Sequence, residues 1–260
     1  MKQIDQKACR EYWEKNLDPQ NLKDTTQARD LALEWELYNS DEQRFAQSRM
    51  PRLPGSRCLE LGGGLGTHAI FLAQKGATVY VVDFSRPRLD VLSRLARELG
   101  LAERILCFNA AAESLPFPDD FFDLVYTKSV LIHTQLTPAL KESRRILKRG
   151  GRAIFVEPSR QNPFAVLYRR LFAPKEWASF TRYFDAESAA EVLRVYPGAE
   201  VKFFYIFGFL AFIWNFKWPC LPLFKISLAL SRLIDRPLLA LCPALRKLGW
   251  FYVFVGTKND

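Results

Sequence analysis

At 260 residues, with 49 % apolar and 25 % charged side chains, the chain has the balance of an ordinary globular protein and enough length to bury a large core without staples. Its five cysteines (Cys9, Cys58, Cys107, Cys220, Cys242) are odd in number and scattered, which argues against a disulfide framework and a zinc site; with only His68 and His133 present, no metal centre is expected. A net charge of +9 implies attraction to something acidic, whether phospholipid, nucleic acid or a phosphorylated substrate.

The opening Met1–Lys7 is polar and mixed in charge, so a secretory leader is not expected and a cytoplasmic protein is. Residues 1–52 read as a polar helical cap, with Tyr12, Trp13, Leu31, Leu33, Trp35, Leu37 and Tyr38 embedded among charges until Pro51 and Pro54-Gly55 break the pattern. Residues 53–260 read as one domain. Within it, Cys58–Leu61, Thr78–Val82, Ile105–Phe108, Leu124–Thr127 and Arg152–Val156 are short apolar runs, the mark of strands buried on both faces. Helical stretches separate them. Thr67–Lys75 stops at Gly76; Ser85 is placed to cap Arg86–Leu99, with Pro87 in the first turn; Thr137 is placed to cap Pro138–Lys148, which stops at Gly150-Gly151. This alternation predicts parallel strands with right-handed crossovers, a doubly wound α/β sheet. Val201–Phe207 and Phe251–Thr257 add two strands. The apolar, proline-punctuated stretch 208–248 between them is too long for an ordinary loop and is predicted helical.

The strongest local signal is Cys58-Leu-Glu-Leu-Gly-Gly-Gly-Leu-Gly-Thr67. A strand runs into Gly62, Gly64 and Gly66, where the backbone must turn tightly and approach a ligand without a Cβ in the way, and a helix N-terminus follows with free N–H groups. Asp83 stands at the end of the second strand, Val79-Tyr-Val-Val-Asp83, where an acid accepts both hydroxyls of a ribose. Dinucleotide binders share this architecture but space their glycines as G-x-G-x-x-G; here the third glycine comes one place earlier. Glu60, just before the turn, sits badly beside a pyrophosphate and suits the ammonium of an amino-acid moiety. A ribose with a cationic amino group describes S-adenosylmethionine (SAM).

With these residues in view, the chain resembles the class I SAM-dependent methyltransferases, in particular the group that methylates small molecules and quinones. The resemblance spans roughly Arg57 to Pro158. It is carried by Leu59-Glu-Leu-Gly-Gly-Gly-Leu-Gly66, the acid at Asp83, Ala112-Glu-Ser-Leu-Pro-Phe-Pro118, Phe122-Asp-Leu-Val-Tyr126 and Ile146-Leu-Lys-Arg-Gly-Gly-Arg-Ala-Ile-Phe-Val-Glu157. It implies a Rossmann-like doubly wound sheet of seven strands, mostly parallel with an antiparallel last strand. It also implies that Glu60 and the backbone of Gly62, Gly64 and Gly66 hold the methionine end of SAM, that Asp83 takes the ribose hydroxyls, and that Phe84 packs on adenine. Ala111, Ala112 and Glu113 would border the adenine edge. The family usually carries an aspartate where this chain has Ala111, so Asn109, Glu113, or the backbone with a water takes its place.

Methyl transfer is an in-line displacement that requires an aligned acceptor and, for a protic acceptor, removal of a proton. The candidate segment is Tyr126-Thr-Lys-Ser-Val-Leu-Ile-His133, after the fourth strand. Thr127 at its start is assigned to the cofactor. His133, often a histidine in the family, is either a general base or a residue that packs to orient the segment. Lys128 reads as a solvated lysine or as a guide for an anionic acceptor, and His68 as a surface or helix-packing residue. Tyr12 and Trp13 either close over SAM or staple the first helix to the sheet.

The last third is apolar and basic. Lys202 and Lys217 bracket a fourteen-residue aromatic run, short of the ~20 residues needed to span a bilayer. From Ala199 onward there are eight basic residues against three acidic ones. Apolar surface with Trp214, Trp218 and Trp250 beside lysine and arginine suits docking on an anionic membrane; a lid over an apolar substrate and a dimer interface are the other readings. The run Lys141–Arg152 reads as a solvated helix face, so no nucleic-acid partner is expected. The expectation is thus a SAM-dependent methyltransferase acting on an apolar small-molecule or lipid-like acceptor, with peripheral docking on a membrane as the reading of its last third. The rivals are a catalytically silent SAM-binding partner subunit and a nicotinamide-dependent oxidoreductase.

Overall fold

The computed structural model describes residues 4–15, 40–216 and 218–259. The expectations for Leu31, Leu33, Trp35, Leu37 and Tyr38 lie outside the described residues. Seven strands form one sheet: β1 (Arg57–Leu61), β2 (Thr78–Asp83), β3 (Ile105–Asn109), β4 (Phe122–Lys128), β5 (Leu147–Pro158), β6 (Glu200–Phe204) and β7 (Phe251–Thr257). Their order is β3-β2-β1-β4-β5-β7-β6. β1 to β5 pair parallel and β7 runs antiparallel to both β5 and β6, as the resemblance implied. The chain reverses its direction of winding between β1 and β4, and a crevice opens beyond the carboxyl ends of strands at such a switch point.

Successive side chains of each strand enter opposite layers. On one face Cys58, Leu124, Tyr126, Ile154 and Val156 pack beneath α2 (Asp41–Ser48), α3 (Thr67–Gln74) and α4 (Arg86–Glu98). On the other, Leu59, Leu61, Val125, Phe155 and Phe254 pack beneath α5 (Leu136–Ile146) and α8 (Ala186–Val195). The cap contributes α1 (Gln6–Lys15), whose N-terminus is closed by Asp5: its carboxylate accepts from the N–H of Ala8 at 2.9 Å. Between β5 and β6 lie α6 (Pro163–Phe172) and the single turn α7 (Trp177–Phe180), and between β6 and β7 lie α9 (Ile213–Phe216) and α10 (Leu221–Leu241).

Several local expectations are corrected. The helix expected from Pro138 starts at Leu136, with Gln135 at its cap position, and ends at Ile146. Thr137 is no cap; its hydroxyl donates to Glu191 Oε2 at 2.7 Å. The Gly150-Gly151 pair belongs to β5, because Gly150 N–H donates to the Lys258 carbonyl and Lys258 N–H to the Gly151 carbonyl. Ser85 does sit at the cap position of α4 but makes no side-chain cap bond; its own N–H is drawn back to Asp83. β6 ends at Phe204, three residues early, because the buried carboxylate of Asp235 on α10 collects the N–H groups of Ile206, Phe207 and Gly208 at 2.9–3.1 Å. The predicted helical stretch 208–248 contains α10, twenty-one residues long, flanked by 3-10 turns.

Candidate active site

β1 delivers the chain into the glycine turn at the carboxyl edge of the sheet. Gly62 N–H donates to the Val82 carbonyl at 2.7 Å, tying the turn to β2. Gly64 follows in the left-handed region, at φ +53°, and its N–H points at Asp83 Oδ2, 3.3 Å away. A Cβ at Gly64 would meet nothing closer than Arg88 Nη1 at 3.7 Å, so this glycine opens on free space. Gly66 serves packing instead: a Cβ there would collide with Leu92 of α4.

The free space is a cavity of about 290 Å³. Gly62, Gly64, Asp83, Phe84, Ala111, Ala112, Glu113 and His133 all line it. Glu60, Gly66 and Thr127 do not. Thr127 is fully buried on β4, with no partner for its hydroxyl among the described residues. Glu60 lies beneath the turn: a Cβ on Gly63 would be 3.8 Å from its Oε2. Its Oε1 is 3.5 Å from His68 Nδ1, while Oε2 has no hydrogen-bond partner among the described residues. Burial pushes the Glu60 carboxyl up to about 8, against an opposing backbone hydrogen bond from Ala69. His68 is accordingly a helix-packing residue, its ring 4.9 Å from that of Tyr126.

Asp83 accepts the Ser85 N–H at 2.8 Å as well as that of Gly64. A carboxylate offers about four acceptor directions, so half of its capacity remains toward the cavity. Burial raises its carboxyl, and the two N–H groups and the nearby Arg88 guanidinium oppose the rise. Asn109 spends its amide on the Asp83 carbonyl at 3.0 Å and is absent from the lining, whereas Glu113 is in it. Glu113 Oε1 accepts from Gln135 N–H and from Gln6 Nε2, both at 2.7 Å.

Helix α1 roofs the cavity with one face. Gln6, Cys9, Arg10 and Trp13 line it, and their i, i+3, i+4, i+7 spacing is that of a single helical stripe. Trp13 stacks under the Arg88 guanidinium at 4.8 Å and meets the His133 ring edge-on at 5.9 Å. Tyr12 turns the other way and packs on Trp177 and Phe180. Of the two aromatic residues, one faces the cavity and the other staples the helix.

The far wall is the turn after β4. Glu157, fully buried at the end of β5, accepts the N–H groups of Val130 and Leu131 at 3.2 and 3.1 Å and so fixes the turn that carries His133. Burial pushes the Glu157 carboxyl up to about 8, against those N–H groups. His133 Nδ1 lies 3.1 Å from the Phe180 carbonyl oxygen. A carbonyl only accepts, so Nδ1 carries the proton and Nε2 keeps a lone pair. Burial lowers the imidazole to about 4, with the Phe180 hydrogen bond opposing, and the ring is neutral at physiological pH.

Lys128 on the same wall is not a solvated lysine. Its Nζ lies 3.2 Å from Glu42 Oε1 of α2, and Glu42 is further held by Tyr205 Oη at 2.7 Å and Ser40 Oγ at 2.6 Å. The basic run Lys141–Arg152 is largely spent inside the molecule as well. Arg145 binds Glu142 and Asp119, Lys148 binds Asp123, and Arg152 binds the Arg49 carbonyl.

Sequence reasoning missed Cys9, Arg10, Arg88 and Glu157. The first two share a helical stripe with Trp13, which the spacing displays. Arg88 stands in the first turn after the acid and its proline. Glu157 carries no local signal, because its role depends on turn amides 26 and 27 residues away in sequence that the β4–β5 pairing brings alongside.

Residues 59–155 match the family described as methyltransferase domain. A sarcosine/dimethylglycine N-methyltransferase from Halorhodospira halochloris is 33 % identical over 135 residues, covering 47 % of this chain and 48 % of that protein. The ubiquinone/menaquinone biosynthesis C-methyltransferase UbiE of Vibrio vulnificus is 34 % identical over 171 residues, covering 61 % of this chain and 65 % of that protein. The chain thus matches about half of the first relative's length and less than two thirds of the second's. Geranyl diphosphate C-methyltransferase from Streptomyces coelicolor A3(2) superposes with a TM-score of 0.65 over 97 % of both chains at 16 % identity, a likeness of fold. With the glycine turn, the acid after β2 and the seven-strand order all in one chain, residues 59–155 are a methyltransferase domain by family match, set in a sheet of the fold that the geranyl diphosphate C-methyltransferase shares.

Proposed function

We propose that this chain transfers a methyl group from SAM to an apolar small-molecule or lipid-like acceptor, working against the surface of an anionic membrane. The observation that carries the reading is the shared cavity, which Gly64, Asp83, Phe84 and His133 line together under one stripe of α1. The residues present fit SAM. Gly64 leaves its side of the cavity free of a Cβ, Asp83 keeps acceptor directions for a sugar, and beneath the turn, outside the lining, Glu60 Oε2 has no hydrogen-bond partner among the described residues. When bound, SAM supplies an activated methyl group on its sulfonium.

The chain's own residues then bind and orient. Asp83 and the backbone of Gly62 and Gly64 hold the ribose and methionine ends, Phe84 offers a face for the base, and Trp13 with α1 excludes water. His133 is a positioning residue in this reading. A base lowered to about 4 holds a proton weakly, so its use is to fix the turn and offer Nε2 to the acceptor. The preference for an apolar acceptor is supported by the relatives named for quinone biosynthesis. It is also supported by the apolar faces of α10 and α6 that stand in solvent, including Leu230, Leu233 and Leu241 on α10 and Leu167 and Leu171 on α6. No helix among the described residues is long and apolar enough to cross a membrane.

Titration calorimetry tests the cofactor: heat with SAM and with S-adenosylhomocysteine, and none with NAD, is expected. Incubation with methyl-labelled SAM and a cell extract tests the acceptor, with label expected in the lipid-soluble fraction. Binding of SAM without labelling of any fraction would instead identify a silent SAM-binding subunit.

A further inference from the structure

A second cavity, of about 880 Å³, which the mechanism above does not use, lies between α2, the edge strand β6 and α10. Five cations line it, Arg44, Lys202, Arg232, Arg236 and Arg246, against two carboxylates, Asp41 and Asp235. The two carboxylates offset only part of that charge. Asp235 is consumed by the three backbone N–H groups that end β6. Asp41 is shared among three guanidiniums: Arg44 and Arg232 at 2.7 Å and Arg236 at 3.8 Å. Lys202 stands over the rings of Phe45 and Phe204, at 4.7 and 5.7 Å, rather than on an acid. Arg246 donates to the Leu239 carbonyl and stays exposed. The remaining lining includes Leu228, Leu239 and Phe203, so the cleft joins a surplus of positive charge to an apolar wall.

Helix α10 relates this cleft to the outside. Phe224, Leu228 and Asp235 turn inward. Arg232 and Arg236 form one flank, facing the cleft. Ile226, Leu230, Leu233 and Leu241 are more than half exposed and stand on the outer side. A helix with a buried face, a basic flank and an outward apolar stripe is built to lie in a headgroup layer.

We propose that this cleft receives the phosphate headgroup of an anionic phospholipid, with Arg236 and Arg246 as its principal contacts and the α10 stripe resting in the adjoining acyl region. The inference deepens the membrane-surface reading and rests on it. The occupant follows from charge complementarity: the cleft supplies unneutralised guanidiniums, which bind phosphate oxygens in pairs, and the stripe beside it supplies apolar contact that a soluble anion would leave unused.

The test uses the full chain and sedimentation with two kinds of vesicle, phosphatidylcholine alone and phosphatidylcholine mixed with phosphatidylglycerol. The wild type is expected to bind the mixed vesicles more tightly, and the double variant Arg236→Gln, Arg246→Gln to lose on the order of thirtyfold of that affinity, from about fivefold per cation near an anionic surface. Calorimetry with S-adenosylhomocysteine shows whether the variant is folded; unchanged affinity is expected, since neither arginine lines the cofactor cavity. A second variant, Leu233→Ser with Ile234→Ser, is expected to weaken binding to both vesicle types alike. If the wild type prefers phosphatidylglycerol and the arginine variant prefers it equally, the cleft proposal is overturned while the surface reading stands. If the wild type binds neither vesicle, both fall together. A concentration-dependent dimer that the Leu233, Ile234 variant abolishes would assign the stripe to a second copy and also overturn the proposal.

Discussion

Lys128 Nζ, on the wall of the cofactor cavity, lies 3.2 Å from Oε1 of Glu42, a carboxylate with no exposed surface. The pair joins the end of β4 to a helix of the N-terminal cap, and the only other groups on that carboxylate among the described residues are the hydroxyls of Ser40 and Tyr205. Lys128→Ala therefore strands a buried acid and is expected to cost about 3 kcal/mol of stability, read from the urea midpoint. A loss below about 1 kcal/mol, the range of an exposed pair, would show that Glu42 does not depend on Lys128.

Asp83→Asn keeps an oxygen for the Gly64 or Ser85 N–H but removes the charge and one acceptor facing the cavity. Affinity for S-adenosylhomocysteine is expected to fall on the order of tenfold to a hundredfold, the worth of a hydrogen bond to a charged group. Calorimetry measures it, and a melting temperature near that of the wild type would locate the effect in the site.

Cofactor binding is expected to release a proton. Burial holds the Glu60 carboxyl protonated below about pH 8, and a ligand ammonium brought close to it would favour the ionised form. Affinity should then climb as pH rises toward 8 and level off above it. Calorimetry in two buffers of different ionisation heat measures the proton, and Glu60→Gln should abolish both the release and the slope. A binding constant independent of pH in the wild type would remove Glu60 from the site.

The same burial shapes stability against pH. Glu60 and Glu157 titrate near 8 in the folded chain and near 4.5 when exposed. Between those values the unfolded chain has lost protons that the folded one keeps, so stability falls as pH rises through the window. His133 acts oppositely: between about 4 and 6.5 only the unfolded chain binds its proton, so its contribution rises with pH. Above 6.5 the histidine is neutral in both states and the glutamates act unopposed by it. A decline in stability from pH 6.5 to 8 is expected, shallower in Glu157→Gln, by chemical denaturation across a pH series.

Turnover should show no limb at the ordinary histidine value of 6.5, because the His133 ring is already neutral well below it. His133→Ala is expected to lower turnover less than about tenfold, short of the 10²–10⁴ range typical of a lost general base, with S-adenosylhomocysteine affinity unchanged. A loss of a thousandfold or more, with a pH limb that the variant removes, would restore the base role.

Much of this molecule was legible in one dimension. The short apolar runs of β1 to β5, the three glycines and Asp83 all report local constraints: a buried strand must be apolar, and a tight turn beside a ligand must lack a Cβ. The seven strands and the antiparallel last one also followed, through the resemblance those motifs carry. The cavity-facing stripe Gln6, Cys9, Arg10, Trp13 was equally present in the spacing, although it takes a known neighbour to say that this face is the one that matters.

What only the tertiary structure decided are the pairings between distant segments. Thr137 has the right chemistry for a helix cap, yet Glu191 of α8 takes its hydroxyl. Lys128 looks like any surface lysine until α2 brings Glu42 beneath it. His133 titrates low because the fold buries it, against the opposing hydrogen bond to the Phe180 carbonyl of α7, and β6 stops where Asp235 of α10 reaches its amides. The physical reason is common to all four. Local propensity follows from a residue's own backbone and close neighbours, whereas burial, and with it charge state and hydrogen-bond partner, is set by segments that arrive from elsewhere in the chain.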